Sequence, residues 1–145
     1  MKLKGSYRFE GFDKAGKKVF DRTYSNVIVQ GLYTNFFKLL NGDAVTLTLT
    51  HMATGIGTNP ALRADTALQT EFFRKAITKQ SYTNLKYTCK LSIAAAESVM
   101  TIREIGVFAN ATSTPGSGVL ISRCSVNVPK NASTQYLITY TIDTE

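Results

Sequence analysis

The chain has few of the residues that build metal centres or nucleophilic active sites. Its 145 residues include two cysteines, Cys89 and Cys124, one histidine, His51, and no tryptophan. A structural zinc site needs four Cys or His ligands at close spacing, and three such residues far apart in the sequence do not supply one. We therefore predict no metal, no cofactor and no catalytic residue. The sequence leaves open whether the two cysteines form a disulfide.

Long apolar runs are also absent. No stretch approaches the roughly 20 apolar residues of a membrane-spanning helix, and the start, MKLKGSYRFE, lacks the apolar segment of a secretory signal. We therefore expect no membrane insertion, and synthesis in a cytoplasm. Hydrophobic residues at 43% and charged residues at 19% are typical of a globular protein. The length favours one domain over residues 1–145, made of a hairpin (1–26), a helix (31–41) and a strand-rich body (45–145).

Acidic residues are outnumbered. Ten Asp and Glu stand against 17 Lys and Arg, which gives a net charge of +7 and suggests a nucleic-acid partner. Much of the excess falls in the N-terminal hairpin, whose candidate basic-surface residues are Lys2, Lys4, Arg8, Lys14, Lys17, Lys18 and Arg22. Alternation along a strand sends the neighbouring aromatic side chains to the opposite, core-facing side. We therefore interpret the basic residues as a solvated face and do not expect nucleic acid to bind.

One segment has helical periodicity. In GLYTNFFKLLNG, apolar side chains recur at helical spacing and an Asn-Gly pair follows, which predicts a short helix over residues 31–41. The residues that define its apolar stripe are Leu32, Phe36, Leu39 and Leu40. We interpret this stripe as a contact with the protein core.

The rest of the chain has mainly strand character. Residues 3–26 alternate around a turn at 13–16, which predicts a hairpin. VTLTLTHMATG (45–55) predicts a half-buried strand with a threonine face, and the segment up to residue 70 has the composition of a long loop. Five further strand-like runs are EFFRKAITK, TNLKYTCKLSI, MTIREIGVFA, GVLISRCSV and QYLITYTID. Many short strands and one helix predict a mainly β protein, an antiparallel β-sandwich with one short α-helix near residues 31–41.

Two adjacent charges distinguish the strand IREIGVF. Arg103 and Glu104 point to opposite faces, so at least one of them faces a covered surface, where a charge persists only when it is paired. An internal ion pair and a subunit interface both account for this pattern. A hydrolytic triad would have to use His51, and the chain has no GxSxG turn, so we predict that the protein is not an enzyme.

Several short motifs follow one another from His51 to the end of the chain: a GxGT loop, then D-T-A-L, R-K, I-R-E-I-G-V-F, L-I-S-R and L-I-T-Y-T-I. In this order they resemble a small structural protein of tailed bacteriophages. The matching positions are Gly55, Gly57, Thr58, Asp65 to Leu68, Arg74, Lys75, Ile102 to Glu104, Gly106, Phe108, Leu120 to Arg123 and Leu137 to Ile142.

The resemblance implies a noncatalytic virion structural protein made in the host cytoplasm. We expect a tail, baseplate or fibre-base subunit that assembles symmetrically with its own copies and with other virion proteins. A host-surface glycan is a further candidate partner. A capsid-decoration (cement) protein is the alternative, and a nucleic-acid-binding module ranks below both. The candidate assembly-interface residues are Gly55, Gly57, Thr58, Asp65, Arg74, Arg103 and Glu104.

Overall fold

Across residues 2–144, which the computed structural model describes, the chain forms ten β-strands and one α-helix. The elements are β1 (Leu3–Phe12), β2 (Lys18–Ser25), β3 (Val27–Ile28), α1 (Gln30–Leu40), β4 (Leu49–Gly55), β5 (Glu71–Ala76), β6 (Lys79–Tyr82), β7 (Lys86–Ile93), β8 (Met100–Ala109), β9 (Val119–Lys130) and β10 (Gln135–Thr144). The end residues of the predicted domain, Met1 and Glu145, lie outside the described residues. Within residues 2–144, no helix combines the length and apolar character needed to cross a membrane.

The strands form two five-stranded sheets. Sheet A has the order β2-β1-β10-β7-β6, and sheet B has the order β3-β9-β8-β4-β5. All the pairings are antiparallel. The two sheets pack face to face around a shared hydrophobic core, which confirms the predicted antiparallel β-sandwich. The helix also lies within one residue of its predicted range, 31–41.

Aromatic residues at every second position fill the space between the sheets. Tyr7 and Phe9 on β1 are fully buried, as is Tyr140 on β10. Tyr7 and Tyr140 are register partners and stack with their ring centroids 4.7 Å apart. The Tyr7 hydroxyl shares a hydrogen bond with Ser122 of sheet B. This bond satisfies a buried polar group that would destabilise the fold if it were left unpaired. The period-two pattern of the hairpin therefore reports the core face correctly.

The outer face of sheet B carries a second layer. Loop residues 56–70 and the start of α1 cover this face, and a second apolar cluster forms beneath them. Its buried members are Val29, Ala53, Leu68, Phe108 and Leu120. β8 is therefore buried without interruption from Glu104 to Ala109, because both of its faces are covered.

Several strand boundaries differ from the sequence-based predictions; β5, for example, ends at Ala76 and β7 begins at Lys86, each three residues short of its predicted run. β4 begins at Leu49 and not at residue 45, because the Asn110 side chain donates to the Thr46 carbonyl (2.6 Å) and accepts the Thr48 amide (3.2 Å) in place of a strand ladder. β6 is not among the predicted strands: it lies mostly in the polar residues between the runs EFFRKAITK and TNLKYTCKLSI, and an exposed edge strand shows no apolar alternation. β9 continues through Pro129 to Lys130, and Pro129 can lie there because β3 pairs only with Ser122 and Arg123.

Candidate interaction surface

Glu104 lies at the centre of an internal polar cluster. Its side chain is fully buried, and its two carboxylate oxygens accept the backbone amides of Gln69 (2.7 Å) and Thr70 (3.1 Å). The Arg123 guanidinium on β9 lies 3.4 Å from the same carboxylate. The buried charge of β8 is therefore satisfied inside the protomer by Arg123. The neighbouring Arg103 is exposed.

Arg123 ties the covering loop to the sheet. Its guanidinium donates to the carbonyls of Asn59 (3.0 Å) and Pro60 (3.1 Å) and pairs with the Asp65 carboxylate at 3.0 Å. Gly57 on the same loop is buried. A side chain at this position would occupy the space of the Glu104 carboxylate, so the close contact requires glycine. Four of the matching motifs thus meet at one cluster, which holds the loop over sheet B.

Arg74 performs a similar internal role on β5. Its side chain is 2% exposed and pairs with Glu71 at 2.9 Å. It also donates to the Ser117 carbonyl (2.8 Å) in the β8–β9 loop, and its guanidinium lies 4.3 Å from the Phe108 ring centroid. The guanidinium therefore joins the β8–β9 loop to the outer face of sheet B.

The seven predicted interface residues separate by exposure. Gly55, Gly57 and Glu104 are buried, Asp65 and Arg74 are partly buried, and Thr58 and Arg103 are exposed. The structure brings Gly57, Asp65 and Glu104 together around Arg123, whereas Arg103 points away from that cluster. The role of the seven residues in contacts between subunits stays a prediction.

The basic residues of the N-terminal hairpin are all exposed, namely Lys2, Lys4, Arg8, Lys14, Lys17, Lys18 and Arg22. Arg8 and Lys18 form local ion pairs: Arg8 lies 2.8 Å from Asp21, and Lys18 lies 2.8 Å from Glu10 and 3.1 Å from Asp21. Hydrogen bonds from Arg8 and Lys18 hold the pKa of Asp21 far below its usual value. These ion pairs reduce the positive charge that the hairpin presents to a polyanion.

His51 and the two cysteines lie on strands of the sandwich, His51 on β4, Cys89 on β7 and Cys124 on β9. His51 lies on β4, and its buried Nδ1 has no hydrogen-bond partner within residues 2–144. Burial, together with nearby Arg74, lowers the pKa of this imidazole. Cys89 and Cys124 are free and buried, so the disulfide that the sequence left open is absent. Burial raises the pKa of the Cys89 thiol to about 12 and that of Cys124 to about 11.

The interpretation of the α1 apolar stripe as a core contact is wrong for most of its side chains, because they are exposed. Leu32 packs against the core, but Phe36 is 45% exposed, Phe37 62%, Leu39 40% and Leu40 69%. We call the last four side chains the helix face. The helix packs on β9 through its first turns, where Gly31 lets its backbone approach the Leu120 carbonyl. No element within residues 2–144 covers its second half.

An apolar groove of about 260 Å³ lies beside the helix. The residues that line this apolar groove are Leu32, Leu47, Thr48, Leu49, Gln80, Tyr87, Ile121 and Ile142. The Gln80 amide donates to the Leu49 carbonyl (3.0 Å) and accepts the Tyr87 hydroxyl (2.6 Å), so the side chains of Gln80 and Tyr87 in its wall are already bonded to the protomer. A shallower depression shares Tyr87 and Ile142 with it and extends it toward exposed Tyr82 and Leu85.

The helix face also lies in a charge-poor part of the sequence. Between Arg22 and His51, the charged residues are Lys38 and Asp43, one of each sign. The remainder of this +7 chain is much richer in charge. Sequence reasoning missed this surface because an amphipathic stripe has the same pattern whether its partner is internal or external. The charge-poor run was the signal that could have found it.

The chain matches no protein-family model, no curated protein and no solved structure. Its function is therefore inferred from the motifs and from the surface geometry.

Proposed function

We propose that the chain is a noncatalytic structural subunit of a bacteriophage virion, placed in the tail, baseplate or fibre base. It acts through protein-protein contacts with its own copies and with other virion proteins. The observation that carries this proposal is the exposed helix face beside the apolar groove.

The size of the apolar surface supports a role in assembly. Aromatic side chains each present about 150–250 Å², so Phe36 and Phe37, at 45% and 62% exposure, leave roughly 200 Å² in water between them. Leu39 and Leu40 extend this area on the same helix. The largest apolar patch on a soluble monomer, about 300–600 Å², is often functional, and larger patches mark interaction sites. The helix face is therefore best explained as an interface that the protomer alone does not fill.

The phage-like motifs support the kind of assembly. Residues that match those motifs contact one another in the folded chain: Asp65 pairs with Arg123, Arg123 with Glu104, and Arg74 packs over Phe108. Segments far apart in the sequence thus contact one another in the folded chain. Motifs that occur together because they build one fold are expected to make such contacts. These motif residues therefore lie in sheet B and in the loop of residues 56–70 that covers it.

Particle incorporation tests the proposal. Virions of the phage that encodes the chain should contain it by mass spectrometry, and a Phe37→Ser chain supplied in its place should be depleted from purified particles. Phe72→Ser is the matched control, because Phe72 on β5 is 60% exposed yet lies away from α1. Absence of the unmodified chain from particles would refute the proposal.

Fractionated particles separate the two placements. Isolated tails should retain the chain, and expanded empty heads should not bind it when it is added. Binding to heads without binding to tails would assign it to capsid decoration instead.

A further inference from the structure

We infer that the helix face and apolar groove of one copy dock reciprocally against the apolar groove and helix face of a second copy, forming a two-fold dimer. This inference rests on the proposed assembly function and names the first partner in that assembly. It assigns a specific surface, made of α1, the segment before β4 and the β6–β7 turn, to contacts between copies.

The arrangement of the two features suits a two-fold contact. A two-fold interface uses the same patch on both subunits, so that each residue pair occurs twice. Here a projecting element and a recess lie side by side: Phe36, Phe37 and Leu40 project from α1, and the apolar groove begins at Leu32 on the same helix. A rotated second copy can place its projecting side chains in this recess while its own recess receives the first copy's side chains.

Charge favours a second copy as the occupant. Two chains of net charge +7 repel each other over most of their surfaces. The helix and its flanking segments contribute little charge of their own, because Lys38 and Asp43 are the charged residues between Arg22 and His51. An acidic partner protein would gain more at the basic hairpin than here. Identical basic copies, in contrast, meet at this face with the least repulsion.

The available area is close to what a stable dimer needs. The helix face together with Tyr82 and Leu85 leaves roughly 600 Å² of apolar side chain in water. A standard interface buries about 800 Å² on each partner. The walls of the apolar groove supply the remainder. Gln80 and Tyr87 in its wall are already bonded within the protomer, so docking leaves these two polar side chains paired, and the Thr48 hydroxyl lies at the exposed mouth.

The oligomeric state of the full chain is the first test. Light scattering coupled to size-exclusion chromatography should give a dimer at high concentration that dissociates on dilution. Phe37→Ser should remain a monomer at concentrations where the unmodified chain is dimeric, and Phe72→Ser should still dimerise. Circular dichroism of each variant shows whether it has kept the native fold, and Leu40→Ser replaces Phe37→Ser if the latter is unfolded.

Reciprocity has a sharper test in a mixture of two variants. Thr48→Arg places a long cation at the mouth of the apolar groove, where Thr48 is exposed and its hydroxyl forms no hydrogen bond within residues 2–144. Thr101→Arg is its control, an exposed position at the far end of β8 from Ala109, which pairs with Leu49. Thr48→Arg alone and Phe37→Ser alone should be monomeric. Their mixture should form a heterodimer, because one intact helix face meets one intact groove.

Each outcome bears on the inference. A heterodimer in the mixture, with both single variants monomeric, supports it. A dimer that survives both substitutions, or a mixture that stays monomeric, overturns it. An unmodified chain that is monomeric at every concentration also overturns it. If Phe37→Ser is nevertheless depleted from particles in that last case, the proposed virion function stands and the occupant of the face is a different virion protein.

Discussion

At the scale of single residues, the Glu104–Arg123 pair is the interaction whose loss should cost most. Glu104→Gln removes one acceptor from the amides of Gln69 and Thr70 and the buried one of the two carboxylates that pair with Arg123, leaving Asp65 as its counter-charge. Breaking one side of a buried ion pair costs about 3–5 kcal/mol. We expect a loss of that size in urea unfolding, with faster hydrogen exchange at the two amides.

Arg103→Gln provides the control for that prediction. It removes a neighbouring charge that is exposed, and surface substitutions of this kind stay within about 0.5 kcal/mol. Equal losses in the two variants would show that the buried pair does not hold the covering loop.

His51 should make stability depend on pH. The pKa of its imidazole is lower in the folded chain than the unperturbed value of about 6.5, so the unfolded chain takes up the proton first as the pH falls. The free energy of unfolding should therefore decrease below about pH 6.5 until the folded-state pKa is reached. His51→Gln should flatten the curve from about pH 7.5 to 5.5, a range above the usual carboxylate pKa values. An unchanged slope in that variant would contradict the assignment.

The two thiols should be inert while the chain is folded. Burial raises the pKa of Cys89 to about 12 and that of Cys124 to about 11, so very little thiolate forms at neutral pH. A chromogenic disulfide reagent should titrate almost no thiol in the native protein and both thiols in concentrated urea. Rapid native labelling of either cysteine would show that the sandwich opens at that strand.

At the scale of the secondary-structure elements, α1 should be insensitive to changes in its helix face. Phe37→Ser should alter the free energy of unfolding of the monomer by less than about 1 kcal/mol, because Phe37 is mostly in water already. Leu91→Ala, in the closed space between the sheets, should cost about 2–5 kcal/mol. Urea denaturation at low protein concentration compares the two. A large loss of unfolding free energy in Phe37→Ser would show that the helix face packs against the core.

Most elements were predictable because their patterns are local. The hairpin turn follows from Asp13, whose carboxylate accepts the amides of Ala15 and Lys17 at 2.9 Å, and from Gly16 at φ +81°. The helix ends where Gly42 adopts φ +80°, as the Asn-Gly pair predicted. β6 was not predictable, because an exposed edge strand has neither alternation nor an apolar run.

At the scale of the whole molecule, thermal stability should depend on protein concentration. Dimerisation stabilises the native state by mass action, so the Tm of the unmodified chain should rise with its concentration. Phe37→Ser should give the same Tm at all concentrations, and Phe72→Ser should behave as the unmodified chain does. Differential scanning calorimetry measures this directly. A Tm independent of concentration in the unmodified chain would argue against self-association through this face.

The amino-acid sequence alone determined the strand-rich class, the helix, the turn and the scarcity of catalytic groups, because period, turn chemistry and composition are properties of neighbouring residues. Only the tertiary structure decided the partners of each face. It paired Glu104 with Arg123, 19 positions away, and left the helix face of α1 uncovered, although the pattern of this helix is that of a buried one. Both outcomes depend on which surfaces two packed sheets leave open, and that depends on strand order and loop path, which no local pattern contains.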